Sequence, residues 1–242
     1  LYVQDEGGRP LAVVAQFGMH YVGTGERATI SADYYGHFAA AIRAIYGDEC
    51  TPLLLNGSLG QVNNVNPFEV DPDRGHVRGR RMARALAGEV LKVISRMRLA
   101  ERCELGAATA ELSLPRKPVT SEDLQVAREI LAGKDPAPDR GPFSHVMGQP
   151  IPAQIRPVYA RHLLRMAEMP ERLPTEVQAV RVGDSAWVGL PGQSFTEIGF
   201  AVVRQSPAPY TFIVNLANDN LGYLATDRAL LEEGGYETWG AP

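Results

Sequence analysis

The sequence predicts a mixed α/β fold, a mainly buried sheet flanked by helices with a site at the strand ends. Three observations predict it. Short apolar runs of strand length alternate with longer segments of helical period. A Gly183-Asp184 turn between two strand patterns makes the sheet mixed rather than purely parallel. Several of the apolar runs also stop abruptly in polar residues, which is where an open α/β sheet carries its ligand. With 242 residues and 45% hydrophobic content, one substantial core is within reach across residues 1–242, as a single large domain or a domain and a half.

Taken in order, Leu11–Phe17 (LAVVAQF) is a buried strand after a Gly7-Gly8-Arg9-Pro10 turn, and it runs straight into Gly18-Met19-His20. Ser31-Ala32-Asp33 opens a helix whose inner face carries Phe38, Ala41, Ile42 and Ile45, with His37 in its first turns as a packing or solvent-facing residue. Leu53-Leu54-Leu55 is the next strand, broken by Asn56-Gly57. Arg74 to Met97 is a long amphipathic helix, and its basic run Arg78-Gly79-Arg80-Arg81 reads as a solvated face. Leu105–Leu114 alternates as a strand, and Thr120-Ser121-Glu122-Asp123 starts a capped helix ending at Leu131. Gly133 to Pro152, with His145, reads as a long loop. Val158–Met166 is helical and contains His162.

The last third is the most regular. Glu176–Val182 and Ser185–Leu190 form a hairpin. Pro191-Gly192-Gln193-Ser194 then leads into a helix from Phe195 to Val203, which places Gln193 near the free amides of a helix N-terminus. Tyr210–Leu216 is a strand ending in the polar stretch Asn218 to Tyr223, followed by a short helix from Thr226 to Glu233 and a closing Gly234-Gly235-Tyr236-Glu237.

Four strands therefore end in polar groups: His20, the amide loop after Asn56, Gln193, and Asn218 to Tyr223. The amide loop (Gln61, Asn63, Asn64, Asn66) is the densest of these, and carboxamides bring donors and acceptors that a core cannot leave unpaired. Such a loop serves either turn geometry or a ligand. Convergence of the four ends is the expectation that would make it a site. The formal net charge of −4, with no basic stripe, argues against nucleic acid as a partner. Cys50 and Cys103 permit at most one disulfide, and no apolar run approaches membrane-spanning length.

Together FGMH with SADYYG, NGSLGQVNN, LPGQSFTEIG and NDNLGYLATDRALLEEGGYE resemble, in order and spacing, the N-terminal catalytic domain of the neutral/alkaline non-lysosomal ceramidase family. The resemblance spans nearly the whole chain, is weakest over Gly133–Pro152, and points to bacterial relatives of undefined substrate. It implies the later part of that domain, without its N-terminal portion, and a secreted or periplasmic setting that the residues themselves leave open. It also implies zinc held by two histidines, a glutamate and a tyrosine. His20 matches the second histidine and Tyr223 the tyrosine. Gln193 stands where the glutamate of a PGE motif would be, and the first histidine lies upstream of the residues matched. Gln61 and Asn63 stand for the aspartate and serine of the GDVSPN loop, and Tyr236 matches a tyrosine that steadies the substrate carbonyl.

Two functions follow from the resemblance and its departures. One is a metal-dependent hydrolase cleaving an amide bond in an N-acyl lipid or similar small molecule, with His20, Tyr223 and Gln193 toward the metal and Asn63, Gln61 and Tyr236 toward the carbonyl. The other is a non-catalytic member binding a polar ligand such as a carbohydrate through Asn63, Asn64, Asn66, Gln193 and Asn218. A neutral carboxamide is a weaker zinc donor than a carboxylate, and an asparagine is no nucleophile. Both departures favour the second function, and oligomeric state stays open.

Overall fold

The computed structural model describes residues 1–23, 28–66, 68, 70, 73–134, 152–239 and 241. The expected loop from Gly133 to Pro152, with His145, lies almost entirely outside the described residues.

The architecture is mixed α/β, with several small sheets flanked by helices and no closed barrel. The first sheet has the order β1-β2-β3, from β1 (Tyr2–Gln4), β2 (Pro10–Phe17) and β3 (Thr51–Asn56). Strands β2 and β3 run parallel, with Phe17 level with Asn56, so both stop at the same edge. The crossover between them is α1 (Asp33–Tyr46), as a parallel pair requires. Tyr34, Phe38 and Ile42 of α1 are buried together with Val13 of β2 and with Ala83 and Ala87 of α2 (Gly75–Ile94). This is the main core, and its small alanines let α2 lie close over α1.

A second sheet has β4 (Leu105–Pro115) at its edge, then β5 (Arg172–Val182), β6 (Ser185–Leu190) and β8 (Tyr210–Asn215). The expected hairpin is present, Val182 pairing with Ser185 across Gly183-Asp184, and β6 runs parallel to β8. Strand β4 differs from the others in that nearly every residue in it is exposed. In sequence between β4 and β5 come α3 (Ser121–Leu131) and α4 (Arg156–Glu168), which bury Val126, Ala127, Ile130, Ala160 and Leu163 with Trp239. Thr120 caps α3 as expected, accepting from the Asp123 amide while the Asp123 carboxylate accepts from the Thr120 amide.

A two-stranded parallel ribbon, β7 (Gln193–Ser194) with β9 (Tyr223–Leu224), joins the strand ends. Helix α5 (Thr196–Gln205) follows β7. The expected helix after Thr226 is wider than an α-helix, a π-helical turn over Ala229–Glu233, and α6 (Tyr236–Trp239) follows it. One expectation is corrected. The basic run on α2 is not uniformly solvated: Arg78 is 7% exposed and its guanidinium donates to the Asn64 carbonyl of the amide loop. A free amide at the start of α5, that of Thr196, is met by Gln61, whose Oε1 accepts from it at 2.9 Å. Cys50 is buried, Cys103 is exposed, and both are free thiols. No helix among the described residues is long and apolar enough to cross a membrane.

Candidate active site

Backbone hydrogen bonds draw the four strand ends together. Gly57 N–H donates to Phe17 O, joining the ends of β3 and β2. Gly60 N–H donates to Ser194 O, Gln193 N–H to Gly222 O, and Leu221 N–H to Pro191 O. The approach is close enough to demand glycine. A Cβ on Gly60 would lie 2.6 Å from Gln193 O, and one on Gly192 would lie 2.7 Å from Gly222 O. Beneath this junction a buried polar network runs from Ser58 Oγ through Ser194 Oγ (3.0 Å) to Asn215 Oδ1 (2.8 Å). It satisfies hydroxyls and an amide that burial would otherwise penalise.

On top of that junction lies a row of three aromatic side chains. His20 Nδ1 is 2.9 Å from Val62 O. A carbonyl only accepts, so Nδ1 carries the proton and Nε2 of the neutral ring presents its lone pair. That lone pair faces Tyr223 Oη at 3.3 Å, and Tyr223 Oη is 3.3 Å from Tyr236 Oη. Tyr236 in turn meets Trp239 edge to face, and Trp239 meets Tyr159 the same way. The row is therefore anchored on the α3–α4 core at one end and on the Val62 carbonyl at the other.

Electrostatics keep both phenols protonated. Burial, reinforced by the hydrogen bond and charge of Tyr236 and by the nearby Glu237 carboxylate, pushes the Tyr223 pKa well above its ordinary value. Burial likewise raises Tyr236, although its hydrogen bond from Tyr223 acts in the opposite sense. Two hydroxyl donors and one imidazole acceptor thus stand side by side. This is a set able to bind a carbonyl oxygen and to accept a proton.

The remaining residues singled out from the sequence are placed differently. Gln193 pairs with Tyr223 in the β7–β9 register, so their side chains leave on the same side of the ribbon. Gln61 is committed to α5: its Nε2 donates to Thr196 Oγ1 at 3.1 Å and to the Glu197 carboxylate. Asn63 is exposed, and its Oδ1 accepts from the next amide, that of Asn64, at 2.7 Å. Asn64 Nδ2 donates to Tyr21 O, Asn66 Oδ1 accepts from Phe68 N–H, and Asn218 Nδ2 donates to Glu176 at 2.9 Å. Most of the carboxamides thus serve their own loops. Tyr159 and Trp239, which brace the row, were not singled out from the sequence; the aromatic at 239 so soon after Tyr236 was the available signal.

No protein-family model and no curated protein matches the chain in sequence. Solved structures do match. The neutral ceramidase of Pseudomonas aeruginosa superimposes over 98% of this chain with a TM-score of 0.62 and 14% identity. The fold is ceramidase-like. A ceramidase complexed with C2 matches over 98% of the chain as well, with a TM-score of 0.63 and 14% identity. The chain spans 41% of the first of these proteins and 43% of the second.

The resemblance read in the sequence raises the question of zinc, and the donors can be tested against it. Two ligand atoms about 2.0–2.1 Å from a tetrahedral zinc lie roughly 3.3 Å apart, which is the separation of His20 Nε2 and Tyr223 Oη. A catalytic site needs a third protein ligand and anionic character. Gln193 brings only a neutral carbonyl oxygen. Among the described residues no three His, Cys, Asp or Glu side chains come together to hold a metal. His20, Tyr223 and Gln193 alone do not make a zinc site.

Proposed function

We propose that this chain forms part of a ceramidase-like hydrolase that cleaves the amide bond of a small N-acyl compound, with the His20–Tyr223–Tyr236 row at the reacting carbonyl. The supporting observation is the polarity of that row: an imidazole whose Nε2 lone pair faces the Tyr223 hydroxyl, which in turn meets that of Tyr236. Tyr223 and Tyr236 donate to the carbonyl oxygen as it gains charge. His20 accepts a proton from the attacking water and passes it to the amide nitrogen as the C–N bond breaks, releasing the acid and the amine. A metal-dependent version of the reaction, as in the ceramidases of similar fold, needs at least one donor more than His20, Tyr223 and Gln193 supply. Asn63 and Gln61 act in this reading by shaping the loop that carries Val62, not as reacting groups.

A second reading is a binding protein for a polar ligand such as a carbohydrate, favoured by the neutral Gln193 beside Tyr223. Against it stands the commitment of Asn63, Asn64, Asn66 and Asn218 to their own surroundings. The deciding experiment measures fatty-acid release from a panel of N-acyl amides by the full-length protein and by its Tyr223→Phe and His20→Gln variants. Turnover that falls by about 100-fold or more in both variants supports the hydrolase. Absence of turnover together with saturable sugar binding replaces it with the second reading.

A further inference from the structure

Two histidines outside the aromatic row meet between α1 and α2. His37 lies in the second turn of α1 and His76 in the first turn of α2, and their rings stand edge to face at 87° with centroids 5.5 Å apart. His37 Nε2 and His76 Nδ1 are separated by 3.3 Å. That is long for a hydrogen bond from a ring N–H. It equals the spacing of two nitrogen ligands on one tetrahedral metal ion, roughly 3.3 Å for bonds of about 2.0–2.1 Å.

The two helices are held at this distance by their own core rather than by the imidazoles. Tyr34, Phe38 and Ile42 pack with Ala83 and Ala87 beneath them. Gly79 keeps the surface low beside the pair, its Cβ position 3.6 Å from His37 Cδ2. The charged neighbours are Asp33 and Arg80. The Asp33 carboxylate already accepts from the Val22, Gly23 and Tyr34 amides, so it adds negative charge nearby without being a free ligand. Burial first, then the charges of Arg80 and His76, favours the neutral, lone-pair-bearing form of His37.

We propose that His37 and His76 form a two-imidazole site for a divalent transition-metal ion that bridges α1 to α2, with water completing its coordination. The spacing fits tetrahedral Zn²⁺ directly; imidazole nitrogen also suits Cu²⁺ and Ni²⁺, whose square arrangement draws two neighbouring nitrogens in to roughly 2.8 Å, whereas Mg²⁺ prefers oxygen. The site shares no residue with the His20–Tyr223–Tyr236 row and does not depend on the hydrolase reading.

The test uses chelator-stripped protein and its His76→Gln, His37→Gln and His20→Gln variants. Melting temperature is followed against added CuCl₂, ZnCl₂ and MgCl₂, and the Cu²⁺ adduct is examined by electron paramagnetic resonance. The expected result is a rise of about 2–4 °C at saturating Cu²⁺ or Zn²⁺, no response to Mg²⁺, and a two-nitrogen hyperfine pattern. Replacing His76, an exposed residue whose loss leaves the core intact, should weaken binding roughly tenfold or more, while His20→Gln leaves it unchanged. No transition-metal shift in the wild type overturns the proposal. So does a shift that survives His76→Gln or disappears in His20→Gln.

Discussion

The junction of β2, β3, β7 and β9 and the β4–β5 ribbon have opposite characters. At the junction, backbone approaches backbone closely enough to exclude a methyl group, and the polar groups beneath it satisfy one another. Along the ribbon, eleven consecutive register pairs from Leu105↔Val182 to Pro115↔Arg172 are present, yet β4 buries almost nothing. Regular pairing alone therefore does not mark a functional region. Density of mutual constraint does, because it holds side chains such as His20 and Tyr223 in one geometry at little further entropic cost.

The sharpest way to break this contrast is with glycine. Gly60→Ala forces a Cβ against the Gln193 carbonyl and the Phe195 ring, and should cost roughly 3 kcal/mol of unfolding free energy. Gly106→Ala on β4 meets only Arg181 Cβ at 3.7 Å, an ordinary contact, and should gain about 0.5 kcal/mol. Chemical denaturation of the two variants checks both values, and equal effects would remove the distinction. Next in size, Ser194→Ala strands the Ser58 and Asn215 partners of a fully buried hydroxyl and should cost about 1–3 kcal/mol. Thr109→Ala on β4 should stay within about 0.5 kcal/mol of wild type.

Much of the fold was legible because local signals agreed with the tertiary answer. The Thr120 capping box, the Gly183-Asp184 hairpin and the apolar runs of β2, β3 and β8 each depend on neighbours in sequence. Convergence of the strand ends was legible from their shared polarity. What escaped depends on distant partners. Gln61 meets the Thr196 amide of α5 because the loop after β3 reaches a partner 135 residues away. Arg78 is buried because the same loop offers it the Asn64 carbonyl. The alternation of β4 suggests an inner face, but among the described residues nothing lies over it. The His37–His76 pair spans 39 residues and depends on helix spacing, so no local pattern announces it.

A smaller effect of burial around the junction appears with pH. Burial raises the pKa of Tyr34, Tyr35 and Tyr223 above the ordinary phenol value of 10.0. These groups keep their protons in the folded state while the unfolded chain gives them up. Their contribution is thus fully present below about pH 10 and is lost as pH rises beyond it toward the folded-state values. Ultraviolet titration of the phenolates should show Tyr34, Tyr35 and Tyr223 ionising only above the ordinary phenol value. Ionisation of all three at the ordinary value without unfolding would contradict the buried row. Smallest of all, Tyr236→Phe should change stability by less than about 1 kcal/mol, since Trp239 still packs against its ring. The Tyr223 titration midpoint should shift, because one of its partners is gone.

The carbonyl of Val62 receives both the main-chain N–H of His20 and the ring N–H of the same residue, at 3.1 and 2.9 Å. The group that aims the imidazole is thus a peptide oxygen, common to every amino acid. Position 62 can drift among side chains of similar bulk without turning the ring. A scan that truncates side chains one by one would pass over it, and only main-chain chemistry, such as replacing the Val62–Asn63 amide by an ester to weaken that oxygen, would reveal its part.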